Sequence, residues 1–421
     1  MSRLPNDCFA LPPGVHWTPV DEALAALRER LSPVVGTEQV ALARADGRIL
    51  AEDAIARRSH PATDNAAVDG YAFAHPGVAS SEVALTLRDG RSAAGAPWSG
   101  VLTPGEAVRI FTGAAMPAGA DTVVLQEDVE LQGASIRFPA PRKAGANRRK
   151  AGENVSRGGV ALSAGAVVTP QALAHAAAAG LAALSVHERL RVAVFSTGDE
   201  VVDDPGAAVR GDEVVDSNRP MLLSMIGRLG FEAVDLGVIP DKRAAVEAAL
   251  DRGAEQAHAI IASGGASGGD EDHMSRALSE AADSAFHLWR IAVKPGRPLA
   301  MGLRSGRPVF GLPGNPIAAF VCFAIFARPA LLRLAGAPWS EPARLMLPSG
   351  FDYNKKIGRR EFLRVRIGAN GQLEKYRSEG SGLIEGLVWA DGLADIAQEA
   401  GPFKAGDPIA YIPFSALGIA G

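Results

Sequence analysis

The chain has only two cysteines in 421 residues, Cys8 and Cys322, and no metal-ligand spacing relates them. That scarcity argues against a disulfide framework and a zinc site, and it suits a reducing cytoplasm. An excess of one charge is lacking too. Lysine and arginine number 43 against 47 acidic residues, a formal net charge of −4, so neither nucleic acid nor a membrane surface is expected as the main partner. The opening MSRLPNDCFALPPG holds no continuous apolar core of the signal-peptide kind. The longest apolar run, residues 317–327, is too short to cross a bilayer before Arg328 and Pro329 interrupt it. What remains is a globular composition, 47% hydrophobic and 21% charged. A chain of this length divides into roughly two to four domains.

What the sequence does have is glycine-rich turns behind apolar runs. SGGASGGDEDH (263–273) follows HAIIA, VKPGRP (293–298) follows WRIAV, and GLPGNP (311–316) follows PVF. Helical patterns follow the first and third, so three strand-to-helix connections should place backbone N–H groups, carboxylates, a lysine and an arginine at one sheet edge. In open α/β sheets that edge is where ligands sit, and an anionic small molecule is the expected guest.

In chain order, Thr18, Pro19 and Asp21 read as N-cap, first helical residue and first-turn acid ahead of EALAALRERL. From 57 to 157 glycine and proline become frequent, and VALTLRDG, EAVRIFTGA and DTVVLQEDVEL alternate as short strands. This reads as an inserted β domain. Helical pattern returns at 169–184, with Thr169 and Pro170 at its start, so residues 1–56 and 158–188 are expected to form one helical and extended linker domain. Between 189 and 337 strand, loop and helix alternate, the pattern of a doubly wound parallel sheet. Short β segments such as EFLRVRIG in 338–421 predict a small barrel-like domain. The fold class is α/β multidomain.

Glu200, Asp241 and Asp272 each follow a strand. Singly, each fits the mundane task of capping a helix N-terminus. Together, at ends that parallel strands gather, they could hold Mg²⁺, which takes few carboxylates and keeps water and phosphate oxygens. Lys294 and Arg297 offer a point charge and a planar fork to an oxyanion, or are a solvated turn. Asp69 before Gly70 and Thr112 before Gly113 are ordinary turn residues by composition.

DNAAVDGYA, RIFTGAAMP, RRKAGEN, FSTGDE, SGGASGGDED, KPGRP and GLPGNP, in this order and spacing, resemble the molybdopterin molybdenumtransferase family, to which bacterial MoeA and the gephyrin E-domain belong. The resemblance spans nearly the whole chain. It implies a cytoplasmic four-domain homodimer with an α/β molybdopterin-binding domain. Its reaction inserts molybdate-derived metal into adenylylated molybdopterin, with Mg²⁺, releasing AMP. Carried over, the catalytic positions are Asp69, Thr112, Glu200, Asp241, Asp272 and Lys294, with Glu200, Asp241 and Asp272 on the metal. The cofactor-binding positions are Gly264, Gly265, Ser267, Arg297, Pro313, Gly314, Asn315, Pro316, Arg364 and Ser381. Asp69 and Thr112 would come from the partner subunit, and a molybdopterin adenylyltransferase and recipient molybdoenzymes are the implied protein partners. The chain departs from the family pattern at Asn154, where an acid is usual, at Arg297 in KPGRP, and at Ala66, Ala266 and Gly268. A non-catalytic pterin-binding scaffold, which Asn154 favours, and a nucleotide-processing enzyme of the competence-damage type are the alternatives. The complete inserted module argues against the second.

Overall fold

The structure is a computed structural model that describes residues 17–75, 82–139, 143–265, 273–279, 287–296 and 298–419. It divides into two compact units, one of residues 1–38, 47–49 and 187–421, the other of 39–46 and 50–186.

The first unit is built on a six-stranded sheet. Its spatial order is Glu232–Ile239, Arg191–Thr197, Ala259–Ser263, Arg307–Leu312, Pro298–Arg304 and His287–Arg290. The first four are parallel. Both faces of Arg191–Thr197, Ala259–Ser263 and Arg307–Leu312 are buried, which is why these strands read as largely apolar runs. Val192, Val194 and Ile261 pack on one face, with the helices Val20–Arg30 and Asn218–Arg228. Ala193, Phe195 and Ile260 pack on the other, with Arg243–Gln256.

The sheet departs from the wholly parallel one expected. Pro298–Arg304 runs antiparallel to both neighbours. Ser305 (φ 50°) and Gly306 (φ 72°) form the tight reversal that joins it to Arg307–Leu312. The second glycine-rich turn therefore leads into a strand, not a helix. Two antiparallel steps restore the direction, so His287–Arg290 still ends at the same edge as the parallel strands.

The C-terminal residues of this unit form a second sheet, ordered Val293–Lys294, Arg360–Ile367, Gly392–Ile396, Pro408–Pro413 and Leu345–Pro348. Leu373–Lys375 pairs beside Arg360–Ile367, and a bridge from Ser349 to Leu373 brings the sheet back on itself. Tyr353, Val365, Ile396 and Tyr411 fill its interior.

Three local expectations change. Pro19, not Thr18, is the N-cap of the first helix, which starts at Val20. That helix packs into the core of this unit with Leu190 and Leu331, not with residues 158–188. Arg328 and Pro329 do not end the apolar helix. It runs from Pro316 to Leu334, with a π-helical turn at Phe323–Ala327 ahead of the proline. By length and composition it could cross a membrane, but 83% of it is buried within the fold. Arg328 is satisfied inside, donating to the carbonyls of Leu417 (2.7 Å), Ser340 and Ala416 (3.4 Å each).

The second unit carries a six-stranded β sheet within residues 70–139, ordered Thr122–Leu125, Gly70–Phe73, Glu106–Ile110, Glu82–Ser92, Ser135–Pro139 and Glu130–Gln132. Gly70 is required there, since a Cβ would lie 1.8 Å from the Val124 carbonyl oxygen. Segments flanking it share a core of Val40, Leu50, Val168, Ala176, Leu184 and Val186. Thr169 caps the helix Pro170–Ala178 as expected, accepting from Ala172 N–H at 3.2 Å.

Candidate active site

The parallel strands of the first unit end at Thr197, Ile239, Ser263 and Leu312, and each hands over to a loop on one edge. A cleft of about 910 Å³ opens there. Gly264 (φ 94°) and Gly265 (φ 65°) carry the chain over Thr197. A Cβ at Gly264 would come within 2.3 Å of the Thr197 carbonyl oxygen. Gly314 has no such constraint, and Pro313 and Pro316 stiffen the wall beside it.

The loops are stitched together by Asn218, a buried residue at the start of the helix Asn218–Arg228. Its Nδ2 donates to Ser263 Oγ (2.8 Å) and to the Gly314 carbonyl (2.7 Å). Asp216 fixes Asn218 in turn, accepting from the N–H groups of Asn218 and Arg219, both at 3.1 Å. Arg219 also pairs with Asp203 and Asp235. One side chain thus ties two strand ends to the start of the helix Asn218–Arg228.

Of the predicted acids, Glu200 and Asp241 line this cleft, and Asp272 lies outside the described residues. Asp241 N–H donates to Asp199 Oδ1 at 3.0 Å. Its own Oδ1 is buried without a hydrogen-bond partner among the described residues. Burial pushes the Asp241 carboxyl above its usual range, and the charges of Asp199 and Glu200 add to that, against opposing effects from His273 and the Thr197 hydroxyl. Among the described residues no three His, Cys, Asp or Glu side chains form a ready cage for a metal. A buried, unpartnered carboxylate oxygen among like charges is nonetheless an incomplete site, one that Mg²⁺ with a mostly water and phosphate shell would complete.

Lys294 reaches the cleft from the second sheet, where it sits in register with Glu361. Its Nζ donates to Glu379 Oε2 (2.6 Å), Glu361 Oε2 (3.3 Å) and Tyr353 Oη (3.3 Å). Tyr353 donates to Glu361 at 2.6 Å, and burial together with that carboxylate pushes its phenol well above the usual range. No short-range pattern marks these partners: strand register sets Glu361 against Lys294, while Tyr353 and Glu379 reach it from outside the named strands.

Asn315 and Ser381 line the cleft. Arg364 does not. It is buried, and its guanidinium donates to the carbonyls of Ser378 (2.6 Å), Leu383 (2.9 Å) and Gly380 (3.1 Å) while stacking on Tyr376. It holds the loop that carries Ser381. Ser267 and Arg297 lie outside the described residues. In the second unit Asp69 and Thr112 form a pair: Asp69 Oδ1 accepts from the Thr112 N–H and hydroxyl, both at 2.7 Å, which holds its carboxyl below the usual range.

Fold and cleft together define a ligand-binding α/β protein, with an inserted β module, whose strand-end site combines carboxylates, a lysine and a glycine-lined wall. Family profiles resolve it further. Residues 18–180 match the MoeA N-terminal region (domain I and II), 193–333 a probable molybdopterin binding domain, and 347–414 the MoeA C-terminal region (domain IV). The molybdopterin molybdenumtransferase of Haemophilus influenzae is 35% identical over 405 residues, covering 94% of this chain and 99% of that one. Molybdopterin molybdenumtransferase 2 of Mycobacterium tuberculosis is 33% identical over 376 residues, 87% and 92% of the two chains. A crystal structure of the molybdopterin biosynthesis moeA protein from Pyrococcus horikoshii OT3 superposes with a TM-score of 0.78 at 27% identity, covering 94% and 100%. The chain belongs to the molybdopterin molybdenumtransferase family.

Proposed function

We propose that this protein is a cytoplasmic enzyme of molybdenum cofactor biosynthesis that moves molybdenum from molybdate to adenylylated molybdopterin and releases AMP. The observation that carries the reading is one cleft of about 910 Å³ in which the Asp241 carboxylate, with a buried oxygen unpartnered among the described residues, and Lys294 both take part. Both reactants are anions, so carboxylates alone would repel them. Lys294 and Arg297 offset that repulsion and stabilise charge on the phosphate as the anhydride to AMP breaks. Asp241 and Glu200, with Asp272, are the residues that would hold Mg²⁺, which when bound neutralises phosphate charge. Glycines 264, 265 and 314 let the pterin approach the backbone, and Ser381 and Asn315 offer polar contacts beside it. The metal's sulfur ligands come from the pterin dithiolene, so the protein needs no thiolate.

The reading extends to a homodimer in which Asp69 and Thr112 of one subunit complete the other's site, with Asp69 and Glu200 positioning the adenylate. A four-domain division goes with it: a linker of 1–56 with 158–188, from which the helix Val20–Arg30 is set apart, then 57–157, 189–337 and 338–421. An adenylyltransferase supplies the substrate and molybdoenzymes receive the product. Purified protein with adenylylated molybdopterin, Mg²⁺ and molybdate tests it, with AMP and metal-loaded cofactor both quantified. AMP and loaded cofactor should form in equal amounts. Retention of the pterin nucleotide without AMP release would mark a binding scaffold instead.

A further inference from the structure

Lys294 meets two carboxylates of different character. Glu361 is fixed: its side chain is 4% exposed, it sits in a strand, and Tyr353 donates to it at 2.6 Å. Glu379 lies in a loop without regular structure, its side chain is 35% exposed, and it lines the cleft. Its two oxygens reach two ammonium groups, Oε2 to Lys294 at 2.6 Å and Oε1 to Lys375 at 3.1 Å. Burial works against its charge, yet the two lysines hold its carboxyl below the usual range. A carboxylate bridging two lysines occupies the position a small oxyanion would take.

We propose that Glu379 is a tethered competitor of the oxyanion at Lys294, and that an incoming tetrahedral dianion displaces it. With Glu379 in place, its carboxylate already offsets the charge of Lys294 and Lys375, and a dianion gains little. With the Glu379 side chain rotated away, both lysines lose that carboxylate, and Lys294, which lines the cleft, turns its charge to the oxyanion. The backbone need not move. Arg364 pins the carbonyls on either side of Glu379, at Ser378 and Gly380, so the exchange is a rotamer change of one side chain. Glu379 thus raises the concentration of oxyanion the site requires and keeps weaker anions off Lys294. The inference rests on the proposed oxyanion role of Lys294.

Calorimetric titration of molybdate, and separately sulfate, into the intact protein without pterin tests it. Glu379→Gln removes the competing charge and keeps the shape, so molybdate should bind about tenfold more tightly, the loss of one charge-assisted contact. Glu379→Ala should tighten binding to a similar degree. Glu385→Gln is the control: it changes net charge equally, but Glu385 contacts Tyr376 and Arg377, both at 2.9 Å, and not Lys294, so affinity should stay at the wild-type value. Unchanged or weaker binding by both Glu379 variants, undetectable binding by them at millimolar molybdate, or equal tightening by Glu385→Gln overturns the proposal. Release of AMP by the wild-type protein is measured independently, so loss of the functional reading and loss of this inference are separate results.

Discussion

Asn218 is the tie whose removal the structure makes most consequential. Asn218→Ala deletes two hydrogen bonds, and strands the Gly314 carbonyl and the buried hydroxyl of Ser263 without their donor. At about 1 kcal/mol per bond, with a further charge for the stranded groups, the loss is about 2–3 kcal/mol. Asn218→Asp keeps the shape but replaces the donor with an oxygen facing the Gly314 carbonyl, which stood 2.7 Å from Nδ2. Ionised, that variant should lose about 4 kcal/mol, more than the alanine change, because a charge is left buried opposite an acceptor. Protonated, the introduced carboxyl can donate one bond and recover part of the loss. Its pKa is therefore raised by folding, the folded state binds more protons, and the deficit relative to wild type must grow as pH rises. Urea unfolding of the wild type and both variants at pH 4.5 and pH 8 measures this, following a probe in the first unit. A pterin-nucleotide titration alongside should show weaker binding in both, since the turns at 263–265 and 313–316 are no longer joined. An Asn218→Asp deficit that does not change with pH, or Asn218→Ala within 0.5 kcal/mol of wild type, would refute the account.

Asp241 is more costly to ionise in the fold than in the unfolded chain, so without a cation Asp241→Asn should raise the melting temperature at pH 7. That advantage should shrink as pH falls toward the ordinary carboxyl value of 3.8. Added Mg²⁺ should stabilise wild type and not the variant, which differential scanning fluorimetry reads directly. Thr112→Val removes the hydroxyl donor to Asp69 but keeps the backbone N–H, so carbon-detected NMR titration should show the Asp69 pKa rising toward 3.8 without reaching it. Asp395 accepts from Arg360 at 2.6 and 2.7 Å and from Arg344 at 2.7 Å, and it is 5% exposed. Asp395→Ala should cost about 3 kcal/mol in chemical denaturation and lower turnover, because Arg360 N–H also holds the Ala292 carbonyl beside Lys294.

Much of the site is legible in the sequence because turn chemistry is local. Strands buried on both faces announce themselves as VAVF and AIIA, and the glycine turns behind them name the edge where the cleft lies. Gly264 and Gly265 have the left-handed backbone that their pairing implies. Reversal of one strand escapes the sequence pattern because its signal is two residues long, Ser305 and Gly306. Arg364 departs from expectation for a different reason. A motif gives a residue's address in the sequence, while whether its guanidinium faces a ligand or three carbonyls depends on a loop 14 to 19 residues away. Glu361, Glu379 and Tyr353 carry no signal, since each is an ordinary residue until the tertiary fold sets it against Lys294. Asn218 is visible only as a helix start, because its two acceptors lie 45 and 96 residues along the chain.

Scarcity of cysteine gains a physical reason at Cys322. This thiol lies directly beneath the KPG turn: a Cβ at Gly296 would be 2.5 Å from its sulfur, and Sγ–H donates to the Gly296 carbonyl at 3.5 Å. So close to a site proposed to handle a thiophilic metal, a thiolate would compete with the dithiolene for it. Cys322 is fully buried in apolar surroundings, and burial pushes its pKa up to about 12. At neutral pH it is a neutral, inaccessible thiol, neither ligand nor nucleophile. Its role is steric, filling the space that the left-handed Gly296 leaves and setting the height of the turn that carries Lys294. A sulfur atom can therefore sit under this cleft without taking part in its chemistry, and a dithiolene arriving on the pterin meets no rival thiolate from Cys322.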